Sequence, residues 1–137
     1  MLRGGRGSIR RLGGEPASPY EARFGFSRVV RVGGVALVGG TTSIDEDGVV
    51  RGATPYEQTV IVLEKIGHEL GRVGASLADV VQTRVHVTDI SRAEEVGRAH
   101  GEALAEVRPL MTLVEVSGLI DPRMLVEIEA VAVAGAG

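Results

Sequence analysis

A chain of 137 residues with 44% hydrophobic content and a mean hydropathy of +0.16 can bury one core, and nothing in it calls for a second domain. A net charge of -3 and a pI near 5.6 argue against nucleic acid as a partner, although Arg3, Arg6, Arg10 and Arg11 make the first segment locally basic. The lack of cysteine excludes disulfides, thiol nucleophiles and thiolate metal sites; no apolar run reaches the roughly 20 residues of a membrane helix, and no secretory signal opens the chain, so a cytoplasmic protein with no membrane partner is expected.

Residues 1–15 are rich in Gly and Arg and carry almost no periodic apolar content, which predicts a flexible leader ahead of a domain spanning 16–137. Residues 28–41 alternate, break at Gly33 and Gly34, and resume as V-A-L-V, the pattern of two strands joined by a tight turn. Thr54, Pro55 and Glu57 then supply an N-cap, a proline at the first helical position and a carboxylate three residues after the cap. The helix they open places Tyr56, Val60, Leu63, Gly67, Leu70 and Val73 on one stripe, with Glu57, Glu64, His68 and Arg72 toward water, and ends at Gly74.

Residues 80–89 alternate with a period of two and predict a third strand. Ser91 and Glu94 form a capping box for a second helix, whose inner side carries Ala93, Val96, His100, Ala103 and Val107 and which Pro109 terminates. Residues 111–116 and 124–133 are extended runs on either side of Asp121 and Pro122, which predicts a second hairpin and the overall order ββαβαββ.

Crossovers of one hand place both helices on the same face of a single sheet and leave the other face open. On the last strand Met124, Val126, Ile128, Ala130 and Ala132 point toward the helices. Leu113, Leu125, Val131 and Val133 are assigned to the open face, which a soluble monomer would not leave bare, so self-association through it is expected. The other solution is a leader folded back over that face.

The stretches S-P-Y at 18–20, V-A-L-V-G-G-T-T at 35–42, A-D-V-V-Q-T-R-V-H-V-T-D at 78–89 and V-E-I-E-A-V-A-V at 126–133 resemble the RidA (reactive intermediate/imine deaminase, YjgF-type) family. The resemblance runs from about Ser18 to the C-terminus. It implies an α+β fold with a chorismate-mutase-like barrel core formed by a homotrimer, and small-molecule clefts between subunits. The activity it implies is hydrolysis of reactive enamines and imines, such as 2-aminoacrylate, to a keto acid and ammonia, and no cofactor is implied.

In that family a P-A-R-S motif supplies the arginine that grips the substrate carboxylate. Here the motif reads Pro109, Leu110, Met111, Thr112, and a thioether cannot form the bidentate charge-assisted pair. The chain therefore looks like an arginine-less branch, with Arg108 as a substitute only under a shifted register.

Glu127 matches the carboxylate that orients the attacking water. Its competing reading is a cross-strand ion pair with Arg84. Glu129 and Glu115 read as structural. His100, on the inner stripe of the second helix, is a second catalytic candidate against the reading of a hydrogen-bonded core histidine. His86 and His68 read as ordinary surface residues, and the spacing of the histidines carries no metal signal.

Gly39, Gly40 and Thr41 match a loop whose amides contact ligand, against the plainer reading of a strand end with special backbone geometry. Tyr20 is expected to line the cleft or to enter the core, and Thr112 to donate a hydrogen bond beside Met111. Two other functions stay open: a retuned pathway enzyme acting on a larger, less acidic substrate, and a trimeric ligand-binding or chaperone-like module without turnover.

Overall fold

Over residues 9–135, which the computed structural model describes, the chain runs through β1 (Arg10–Leu12), α1 (Glu21–Phe24), β2 (Val29–Val32), β3 (Val35–Thr41), α2 (Pro55–Arg72), β4 (Val80–Val87), α3 (Ala93–Leu104), β5 (Leu110–Glu115) and β6 (Val126–Val133). The strands form one sheet in the order β1-β2-β3-β6-β4-β5.

The first hairpin is as the alternation predicts, with Val32 paired to Val35 and Gly33 at φ +57°, where a Cβ would crowd the backbone. The leader is corrected from Arg10 onward: β1 pairs antiparallel with β2, and Leu12 packs against the core. An uncovered β2 edge would leave a row of unpaired amides and carbonyls, which β1 satisfies. The part of the leader before residue 9 lies outside the described residues.

The cap of α2 forms as expected: Thr54 accepts from the Glu57 amide at 3.1 Å, and Gly74 ends the helix at φ +79°. Its buried face is rotated from the predicted stripe, with Val62 and Ile66 joining Leu63, Leu70 and Val73 in the core. Tyr56 turns aside because α3 claims it: its hydroxyl bonds Glu102, and the Arg98 guanidinium lies 4.0 Å from the centre of its ring. At α3 the capping residue is Asp89 rather than Ser91. Asp89 accepts from the Ser91 amide at 3.0 Å and caps a 3-10 turn (Ile90–Arg92), so the α-helix proper begins at Ala93.

The second hairpin does not form. β5 runs parallel to β4 at the outer edge, and β6 inserts between β3 and β4, antiparallel to both. Parallel neighbours require a crossover, which α3 provides. The long loop after β5 is then free to carry β6 to the middle of the sheet.

Ala36, Val38, Val85, Val87, Val126, Ile128, Ala130 and Ala132 form the buried face of the sheet against α2 and α3. Across the open face, Val30, Leu37, Val131, Gln82 and Leu110 lie in one row; Glu129, Arg84 and Thr112 in the next; and Glu127, His86 and Val114 in a third. Leu113 is corrected: it pairs with Val85 and packs on the helix side.

Candidate active site

Between Val38 and Thr41 the pairing of β3 with β6 is irregular, and Gly39 and Gly40 occupy the bulge. Arg28, just before β2, holds this shape. Its carbonyl accepts from the Gly39 amide at 3.0 Å, while its buried guanidinium donates to the Gly40 carbonyl and to Thr41 Oγ1 at 3.1 Å. Glu21 of α1 lies 3.6 Å from the Arg28 Nε. Burial pushes the Glu21 carboxyl up, but the amides of Ser18 and Gly14 together with Arg28 outweigh it and hold the pKa below the usual value.

The bulge makes room for Glu127. A Cβ built on Gly40 would come within 2.8 Å of Glu127 Oε2, so glycine at this place is a condition of the carboxylate's position. Burial raises the pKa of Glu127, opposed by His86 and Arg28 and reinforced by Glu129. His86 is its directly opposed partner on β4, and the His86 Nδ1 is buried with no hydrogen-bond partner among the described residues.

A cavity of about 500 Å³ opens above this carboxylate, lined by Glu127, Gly40, Arg28, Tyr20, Lys65 and Met124 among others. Tyr20 stacks on Phe24 with ring centroids 5.7 Å apart, building an aromatic wall. Lys65 of α2 donates to the carbonyls of Thr42 at 2.6 Å and Ile44 at 2.7 Å. Burial and the neighbouring Arg28 bring its pKa down to about 8, against the opposing pull of Glu21, Glu69 and Asp45.

Of the residues expected at the site, Tyr20, Gly40 and Glu127 meet in this cavity. Gly39 and Thr41 stand behind it, and their polar groups are committed internally: the Gly39 amide to Arg28, and Thr41 Oγ1 to the Gly39 carbonyl at 2.7 Å. The expected nest of ligand-binding amides is therefore corrected at Gly39, because the bulge consumes that donor.

Met111 and Thr112 lie on the exposed edge strand and do not line the cavity. Met111 pairs with the buried Thr83 and faces the helix side, whereas Thr112 shares the open face with Arg84. His100 has the geometry of the plainer of its two readings, a hydrogen-bonded core histidine. It is buried on α3 with Nε2 2.8 Å from Thr83 Oγ1, its pKa lowered by burial, and it takes no part in lining the cavity.

The ion pair offered as the rival reading of Glu127 belongs to Glu129, which sits opposite Arg84 at 3.5 Å. Glu115 is structural, accepting from the Ile90 amide at 2.9 Å. His86 and Lys65 are the residues the sequence reading missed. For His86 the only signal was the strand register that sets it beside Glu127. For Lys65 the signal was its helical spacing from Val62 and Glu69, both buried. Among the described residues no cluster of three or more His, Asp or Glu could hold a metal ion, and no helix is long and apolar enough to cross a membrane.

The family model described as endoribonuclease L-PSP matches residues 17–134. A member of the YjgF/YER057c/UK114 family from Mycobacterium tuberculosis superposes with a TM-score of 0.84 at 43% identity, covering 93% of this chain and 100% of the other. An uncharacterised protein of Streptomyces coelicolor is 37% identical over 129 residues, 94% of this chain and 95% of that one. The 3-aminoacrylate deaminase RutC of Acinetobacter baylyi is 32% identical over 118 residues, 85% of this chain and 88% of that protein.

Proposed function

Since the chain belongs to the endoribonuclease L-PSP family, the group also called YjgF or RidA, we propose that it hydrolyses a small imine or enamine in this cavity, with Glu127 as the group that handles water. The observation that carries the reading is a half-buried carboxylate with a raised pKa in the cavity wall, seated against Gly40 and with no ion pair among the described residues. A relative whose name makes it a deaminase of an aminoacrylate, an enamine, supports the same chemistry.

The step itself is simple. As the water oxygen bonds to the imine carbon, Glu127 takes one of the water protons and passes it to the nitrogen, which gives the neutral carbinolamine; Glu127 then takes the hydroxyl proton and delivers it to the nitrogen as the C–N bond breaks, so that the carbonyl product and ammonia leave and the carboxylate is regenerated. A carboxyl raised above its ordinary range suits both halves, because it gives up a proton less reluctantly than a strong base and accepts one more readily than a strong acid.

The working form in this reading is a homotrimer. Leu37 is 38% exposed, Val114 42%, Val133 50% and Leu110 71%, an apolar set that lies along one open sheet face and its edge. Closing three such faces against each other builds the barrel core of the family and carries the β5 edge of one subunit toward the cavity of the next. Met111 and Thr112 then reach a cleft from which they are remote within a single chain. A second reading, an enzyme retuned to a larger and less acidic substrate, is favoured by the cavity volume of about 500 Å³ together with methionine at 111.

The test is 2-aminoacrylate generated in situ and followed as keto-acid release above the spontaneous rate. Turnover in the wild type that Glu127→Gln abolishes supports the hydrolase. Inactivity in the wild type with a gain in Met111→Arg moves the assignment to a substrate without the carboxylate, and inactivity throughout moves it to the retuned enzyme or to a binding module.

A further inference from the structure

Lys65 carries a charge that its structural duty does not require. Its hydrogen bonds to the Thr42 and Ile44 carbonyls tie the segment after β3 to α2, and a neutral donor could serve that purpose. Taking a charge partly out of water costs free energy unless the charge is used.

No carboxylate among the described residues lies within ion-pair distance of it. The acids around it are committed elsewhere. Glu21 accepts from the Gly14 and Ser18 amides and pairs with Arg28; Glu69 accepts from Arg72 and from the Glu15 amide; Asp45 pairs with Arg51. An ammonium has three N–H donors, two of them occupied here, and the side chain lines the same cavity as Glu127.

We infer that Lys65 binds the acid group of an anionic ligand, so that the negative end is held from α2 of the same chain and not from the edge strand where Met111 lies. The assignment rests on the cavity being the ligand site, but not on turnover. It accounts for an arginine-less chain that keeps an acidic substrate class: the cation has moved from β5 to α2. The neighbouring Arg28 does not compete for this role, since its guanidinium is spent on Glu21, Gly40 and Thr41.

The experiment compares benzoate with benzamide, which match in size and differ in charge, by chemical-shift titration of the full chain. Wild type is expected to prefer benzoate by about tenfold, Lys65→Gln to lose that preference while keeping its benzamide affinity, and Lys65→Arg to retain it. Above pH 8 the benzoate affinity of the wild type falls by up to about tenfold per pH unit as the ammonium is lost, whereas that of Lys65→Arg stays level.

The groups facing Lys65 are Arg28, Glu21, Asp45, Glu69 and, on its outer side, Glu15, Glu64 and His68. If Lys65→Gln does not fold, the acid-to-amide ratio of the wild type and the two pH profiles carry the test. No preference for benzoate, through equal affinities or through no binding at tens of millimolar, or identical pH profiles for wild type and Lys65→Arg, would overturn the inference. An inert protein that discriminates acid from amide through Lys65 would sink the hydrolase and leave this assignment standing; a deaminase indifferent to Lys65→Gln would do the reverse.

Discussion

Gly40 and Glu127 are in contact across β3 and β6: a Cβ on Gly40 would lie 2.8 Å from Glu127 Oε2 and 3.0 Å from its Cδ. The obstructed atoms belong to the far end of a side chain, so the carboxylate swings away rather than the strands parting. Gly40→Ala is therefore expected to lower turnover of 2-aminoacrylate by about a hundredfold or more while moving Tm by no more than about 3 °C. A Gly40→Ala variant with wild-type turnover would remove Glu127 from the chemistry.

The pH dependence follows from the raised pKa of Glu127. In the folded state the protonated form is favoured, so the stability this group contributes is full below the unfolded value of 4.5 and is lost as pH rises through the folded pKa. Glu127→Gln is expected to raise Tm at pH 7 by about 1–3 °C while abolishing turnover. A fall in Tm would show that the charged form is the one the fold stabilises.

Burial is the main cause of the raised Glu127 pKa, and His86 opposes it. His86→Phe removes that opposition and is expected to move the ascending limb of the kcat/KM profile to higher pH. A limb that stays in place would show the pair to be uncoupled.

His100 calls for the opposite outcome. Its pKa is lowered by burial, so the folded state favours neutral imidazole; that contribution is present above the unfolded pKa near 6.5 and is lost as pH falls through the folded value. His100→Leu deprives Thr83 of its partner and is expected to cost about 1–2 kcal/mol at pH 8. The cost shrinks toward pH 5, and turnover per folded molecule is unchanged. Loss of turnover without loss of stability would restore His100 as a catalytic group.

Leu37 lies in the centre of the open face, paired to Val30 on one side and Val131 on the other. Leu37→Asp is expected to convert a trimer into monomers in sedimentation velocity, with activity lost in parallel. A wild type that sediments as a monomer would end the inter-subunit reading outright.

Local rules were legible without coordinates. The Gly33 and Gly34 turn, the Thr54 cap with Pro55 and the alternation of β4 and β6 depend on neighbours within a few residues, where backbone sterics and hydrogen bonding decide the conformation. The same rules failed where a distant partner intervened: β5 chose β4 over β6, Asp89 took the cap from Ser91, and β1 was ordered by the free edge of β2.

The motifs at 18–20, 35–42, 78–89 and 126–133 determined the family, and the residue at 111 determined that the arginine is missing, because both are statements about which side chains stand in which order. Only the tertiary structure decided that Glu127 faces His86 while Arg84 faces Glu129, that His100 turns to Thr83, and that Lys65 enters the wall of the cavity. The physical reason is register and packing: a one-residue slip reverses every side chain of a strand, and the face a helix buries depends on the neighbours it meets.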